Sequence, residues 1–289
     1  MLAYKPAILR PMLSRAAKAR KRHRPAVGSE PAVGCAAATV APPCARAAVQ
    51  RRALDPMHAT GSRNRLTHHQ LGLYPGDTLF ERLARVVCLA GFLPRKELHE
   101  AWEVAKRVHR RYRGGRVVDL ACGHGLLAQA VLLLDETATG ALAVDKRLSG
   151  NHRRLADALA QTWPRLHQRV EFVEARLEDT VILPGDLVVS AHACGGLTDA
   201  ILAKAIAARA RVAVLPCCQA LRRHGDLDGW LEGTLAIDVE RAVRLREAGY
   251  VIHTQSIPAE VSPKNRLLMG APARQADLEH AELELAAQS

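Results

Sequence analysis

Between residues 116 and 216 the chain alternates in character. Short apolar runs at 116–120, 140–145, 170–174, 187–191 and 212–216 predict strands, and the stretches between them carry helical spacing. Strand, helix, strand repeated in this way predicts a parallel sheet with helices on both faces. Upstream, Leu79, Leu83, Val86 and Val87 recur at three and four residues and predict a helix from Asp77 that Gly91 closes. Leu93-Pro94 opens a second helix, ended by Gly114-Gly115. In it Leu98, Trp102, Ala105, Val108 and Tyr112 form an apolar stripe while Arg95, Lys96, Glu100, Lys106 and Arg110 face away. The pattern changes at the end. A helix over 239–248 leads through Gly249 into 250–259, and 266–269 can return beside it, which predicts a closing antiparallel hairpin.

Residues 1–56 lack any such period. Pro6, Pro11, Pro25, Pro31, Pro42, Pro43 and Pro56 stand there among Ala and Arg, and the segment reads as a disordered basic tail, a transit peptide or an over-extended start before Met57. The expected organisation is a tail over 1–56, a helical segment over 57–115, a sheet domain over 116–272 and a C-terminal tail over 273–289. The net charge of +12 changes meaning once it is divided, because residues 1–54 hold 11 Lys and Arg against one acid, Glu30. The rest of the chain is nearly balanced, so no basic folded domain follows from the total. The apolar runs fall far short of the roughly 20 residues that cross a bilayer, and no membrane span is expected. Seven cysteines, unevenly spaced and without a secretory signal, predict reduced thiols in a cytoplasmic protein, or an organellar one if 1–56 is a transit peptide.

The chemistry concentrates at the first strand-to-helix turn. Val117-Val118-Asp119-Leu120-Ala121-Cys122-Gly123-His124-Gly125 is a nucleotide-type cradle, in which glycines let a ligand approach the backbone and the helix start supplies N–H groups. Gly123-x-Gly125-x-x-Ala128 with Asp145 further on also fits a dinucleotide fingerprint. Asp119 separates the options. A carboxylate at the mouth of the loop repels a pyrophosphate but welcomes the ammonium and sulfonium of S-adenosylmethionine. Asp145, with Lys146 beside it, then takes the ribose hydroxyls, and 175–179, with Leu177 and Glu178, frames the adenine. The plainer alternative is that Asp119 and Asp145 only cap turns.

Val117 to Leu127 followed by Ala143-Val144-Asp145 resembles the first two motifs of class I S-adenosylmethionine-dependent methyltransferases, with Ala121 where their first glycine usually lies. Ala191-His192-Ala193-Cys194-Gly195-Gly196-Leu197-Thr198-Asp199, then Leu215-Pro216-Cys217-Cys218, then Ser262-Pro263-Lys264-Asn265-Arg266, is similar to a subgroup with His-x-Cys-Gly-x-Leu and Cys-Cys signatures. That subgroup includes tRNA acceptor-stem 2'-O-methyltransferases and methyltransferase domains beside glutathione-transferase-like modules. Gln219 and Ala220 stand where the subgroup usually carries a His or Tyr. The resemblance implies a Rossmann-like α/β sheet of seven strands with the last antiparallel, a methyl donor held by Asp119, Ala121, Gly123, Gly125 and Asp145, and RNA as the acceptor class.

Cys122, Cys194 and Cys217-Cys218 follow strands one, four and five, which are neighbours in such a sheet. With His124 and His192 they are expected to line the rim where ligands bind, or else to be small buried hydrophobes. The C-x-x-C spacing of a zinc site does not occur, and no metal is expected. For a hydroxyl acceptor, His192 is the candidate base. The alternatives kept open are a C5-pyrimidine chemistry with Cys194 and Cys217 as nucleophile and release group, a protein or small-molecule acceptor, a non-catalytic binding module, and an NAD-dependent enzyme. Arg107, His109, Arg110, Arg111 and Arg113 form one local basic patch, either an RNA contact or a solvated helix face.

Overall fold

The computed structural model describes residues 60–216 and 229–273. The expected tails and Cys217-Cys218 lie outside the described residues. Two helices come first, α1 over Leu79–Ala90 and α2 over Arg95–Arg111. Thr78 and Glu81 form a capping box at the start of α1, and Gly91 ends it in the left-handed conformation. Then follow β1 (Gly115–Leu120), α3 (Leu126–Leu134), β2 (Ala138–Asp145), α4 (His152–Thr162), β3 (Val170–Glu174), β4 (Leu187–Ser190), α5 (Gly196–Ala207), β5 (Arg211–Val214), α6 (Gly233–Glu247), β6 (Tyr250–Ser256) and β7 (Arg266–Pro272).

The seven strands form one sheet in the order β3-β2-β1-β4-β5-β7-β6. The first five are parallel, and β7 runs antiparallel between β5 and β6, so the expected hairpin is present. Alternation along each strand divides the core. Val117, Leu187, Val189 and Ala213 pack on one face with α1 to α4, while Val118, Val188, Val212 and Val214 pack on the other with residues of α5 and α6. The helices of 57–115 belong to the sheet domain's own core, because Leu83, Val87, Leu98, Ala105 and Val108 are buried in the same cluster as α3.

Three expectations need correction. The stretch between β3 and β4, expected to be helical like the others, holds only turns and irregular backbone. Arg95 and Glu100, read as facing away, are buried at 7% and 2% exposure. The stripe rule assumes a helix with one buried face, and α2 has protein on more than one side. The helix expected at 239–248 starts earlier, at Gly233, because Glu232 serves as its cap, its side chain accepting from the N–H groups of Thr234 and Leu235. Glutamate is not among the usual capping residues, so that start was not visible in the sequence.

In a parallel sheet the ligand crevice opens where the chain leaves neighbouring strands in opposite directions. Here that point lies between β1, from which the chain proceeds to β2 and β3, and β4, which pairs on β1's other edge.

Candidate active site

The loop after β1 builds the crevice floor. Ala121 takes a left-handed φ of 57°, where a residue with a Cβ pays strain that glycine escapes, which accounts for the glycine preference of the motif it resembles. Gly125 has φ 70°, and a Cβ there would stand 2.6 Å from Phe172 Cε1, so only glycine fits. Asp119 lies deeper than a residue at the loop's mouth. It is 1% exposed, and its Oδ2 accepts the N–H of Ala128 at 3.1 Å, tying β1 to the start of α3. Burial, reinforced by the charge of Asp145, pushes its carboxyl up to about 7. Asp145 accepts the N–H of Gly123 on Oδ2 at 2.9 Å and that of Arg147 on Oδ1 at 3.2 Å. Both acids thus brace turns, and both also face the crevice.

Two cavities meet there. The larger, about 300 Å³, is lined by Asp119, Ala121, Cys122, Gly123, His124 and Asp145 from the β1 and β2 ends, by His192 after β4, and by Glu97 from α2. The smaller, about 90 Å³, is lined by Ala121, Asp145, Lys146, Ala175, Leu177 and Leu197 among others. They share Ala121 and Asp145. Glu178 is exposed and lines neither cavity, its carbonyl accepting from Lys204 at 2.7 Å.

Of the expected rim, His124, His192 and Cys122 line the larger cavity. Burial and the neighbouring carboxylates of Asp119 and Asp145 hold the Cys122 thiol far up, so it stays protonated. Cys194 is exposed on the β4–α5 loop. That loop is anchored from behind, since Thr198 Oγ1 donates to the carbonyl of Ala193 at 2.7 Å, and Arg241 donates to Gly195's carbonyl and, twice, to Asp199 at 2.9 and 3.0 Å. Thr198 and Asp199 in the motif are thus scaffold. Sequence reasoning missed Glu97, which lines the cavity with its Oε2 3.9 Å from His124 Nδ1. Its carboxyl is raised by burial and by Glu100, against the opposing effects of His192 and Lys96. The signal was present, as Glu97 and Glu100 are three apart and share a helix face. The basic patch is partial. Arg107 is engaged by Glu103 and donates to the Ser256 carbonyl at 2.9 Å, whereas Arg110, Arg111 and Arg113 are exposed.

Among the described residues no group of His, Cys, Asp and Glu could hold a metal ion, and no helix is long and apolar enough to cross a membrane.

Residues 96–224 match the model of a family described as a methyltransferase domain. No curated protein matches the chain. Similar solved structures include an O-methyltransferase family protein from Burkholderia thailandensis, at 19% identity and a TM-score of 0.44, covering 73% of this chain and 64% of that one. Ribosomal protein L11 methylase from Lactobacillus delbrueckii subsp. bulgaricus matches at 16% and 0.41, over 61% and 77%. The 23S rRNA methyltransferase ErmE matches at 18% and 0.38, over 61% and 67%. The chain spans less than two thirds of the Burkholderia protein's length, and likeness this distant carries no argument about the acceptor. The stretch similar to a methyltransferase domain, residues 96–224, takes in the glycine loop and most of the residues that wall the crevice.

Proposed function

We propose that the protein transfers a methyl group from S-adenosylmethionine to a hydroxyl oxygen, with RNA as the acceptor class and a 2'-hydroxyl of a tRNA-like molecule as the methylated atom. The observation that carries the donor is the pair of cavities sharing Ala121 and Asp145, one walled by a deeply buried carboxyl and the other largely apolar. A nucleoside joined to an amino acid has that division of chemistry. A buried acid is costly without a cation beside it; among the described residues none pairs with Asp119, and the donor's positive charge would supply it. Asp145 then serves the ribose, and Lys146, Ala175 and Leu177 border the adenine. Glu178 drops out of this reading.

When bound, the donor supplies a methyl on a sulfonium, whose displacement needs an aligned nucleophile and little else. His192, on the crevice wall, receives the hydroxyl proton as the acceptor oxygen bonds to the methyl, while the electron pair of the broken bond stays on the donor's sulfur. Cys194 shapes the rim, and the same role is assigned to Cys217, which lies outside the described residues. The His192-x-Cys194-Gly195 resemblance supports RNA, as do the exposed Arg110, Arg111 and Arg113.

The test is incubation with radiolabelled S-adenosylmethionine and fractionated cellular RNA, protein and metabolites. Label should enter RNA and, after alkaline hydrolysis, remain in uncleaved dinucleotides, because a 2'-O-methyl group blocks attack on the neighbouring phosphate. Label confined to protein or metabolites, or released as mononucleotide, would overturn the acceptor assignment.

A further inference from the structure

Helix α2 carries a buried acid for which the methyl-transfer scheme above has no task. Glu100 is 2% exposed. Its Oε1 lies 3.2 Å from Lys96 Nζ, one turn back on the same helix. Its Oε2 is buried and has no hydrogen-bond partner among the described residues, and His192 Nε2 stands 3.9 Å from it. An unpartnered buried carboxylate oxygen is unfavourable. Turned toward the imidazole on the crevice wall, it makes chemical sense.

We propose that Glu100 is a positioning residue for His192, accepting its Nε2–H and so leaving Nδ1 as the lone pair that receives the acceptor's proton. The inference rests on His192 being the base. Its logic is one of donors and acceptors. An ionised carboxylate only accepts, so the ring nitrogen facing it must carry the hydrogen, and in a neutral imidazole the other nitrogen must then be the acceptor. When Nδ1 takes the proton the ring becomes a cation, and the Glu100 carboxylate stabilises that charge. The separation of 3.9 Å exceeds a hydrogen bond, but contacts of this kind tighten when substrate binds. The His192 side chain is 44% exposed and has room to turn.

The charged groups around the ring come from two sides. Glu97, Glu100 and Lys96 face it from α2, and Asp119 and His124 share its cavity from the β1 loop. Among the described residues only Glu100 pairs a buried, unsatisfied oxygen with that ring. The domain match beginning at residue 96 thus takes in both members of the pair.

The test is 15N NMR of the histidine rings in the full chain with no ligand, His192 being assigned from the signal that His192→Gln removes. In the wild type the Nε2–H tautomer should predominate, in Glu100→Asp it should persist, and in Glu100→Gln a mixture should appear. In label transfer to bulk tRNA, Glu100→Gln should lower kcat tenfold or more and change donor Kd less than twofold. A predominant Nδ1–H tautomer in the wild type overturns the proposal whether or not any variant folds. An unchanged tautomer in a folded Glu100→Gln protein does so too, as does wild-type label transfer by a variant whose tautomer has shifted. Failure of the wild type to label RNA counts against the acceptor reading, while the tautomer measurement still decides the role of Glu100.

Discussion

Replacing Asp119 by Asn is expected to stabilise the free protein at neutral pH and to abolish tight donor binding. The first effect follows from burial. Lifting a carboxyl from 3.8 to about 7 corresponds to about 4 kcal/mol, since each pH unit of separation carries about 1.4 kcal/mol. The sign is fixed by where the proton sits. At a pH under 3.8 both folded and unfolded chains hold it and there is no penalty. Between there and about 7 the folded chain keeps a proton that the unfolded chain has released, so stability falls as pH rises. At higher pH the loss is complete.

Asn does not titrate, and its amide oxygen can still accept from Ala128 N–H. Its extra amide N–H groups need a partner in a dry site, which costs about 1 to 3 kcal/mol. The variant should therefore be the less stable protein near pH 4 and the more stable one, by roughly 1 to 3 kcal/mol, near pH 8. Urea unfolding of both proteins across that range measures the difference, and titrating groups common to both cancel from it. On the binding side, a cationic donor prefers the ionised acid. Donor binding near pH 6 should therefore release a fraction of a proton, seen by calorimetry in buffers of different ionisation heat. A stability difference that is flat with pH would refute the burial argument, and wild-type donor affinity in the variant would refute the cradle assignment.

Gly125→Ala should cost about 1 to 3 kcal/mol, from the Phe172 clash and the positive φ, and should weaken donor binding along with it, as thermal unfolding and titration can check. Arg241→Leu removes the buried counter-charge of Asp199 and Asp238, leaving them only the more exposed Arg244 and Arg266, and should destabilise by about 3 kcal/mol in chemical denaturation, more than an exposed arginine would. His99 is held down to about 4 by burial, so the folded chain refuses a proton that the unfolded chain takes, and stability falls as pH drops from 6.5 toward 4. His99→Gln should flatten that acid limb, and an unchanged slope would show that the ring is wetter than its surroundings indicate.

The strands were legible because a sheet covered on both faces demands short runs of branched apolar residues bounded by turns, and 170–174 is recovered to the residue. The lead helices were legible from their stripes, but what they cover was not. A stripe tells which side of α2 meets the core, and nothing in it reveals that Glu97 lines a crevice and that Glu100 is buried behind it. Asp119 was singled out by type and spacing and does line the crevice, yet its depth was misjudged, because depth is set by how α3 closes over β1, a tertiary fact. Glu178 was misjudged in the opposite direction, as the β3–β4 connection puts Leu177 inward and turns its neighbour to solvent.

The proposed donor side of the crevice comes from short, nearly contiguous stretches at 119–127 and 144–146, whose shape is set by local backbone geometry. A glycine at positive φ or an acid at a strand end therefore carries the information within a few residues. The proposed acceptor side draws on α2 and the loop after β4. Its groups are some ninety residues apart in the chain, and only the packing of α2 against α3 brings Glu100 to His192. Chemistry spread across the fold in this way has no spacing for a sequence pattern to hold. Measuring the His192 tautomer therefore probes the part of the site that tertiary packing alone creates, while the Asp119 titration probes the part that the sequence announces.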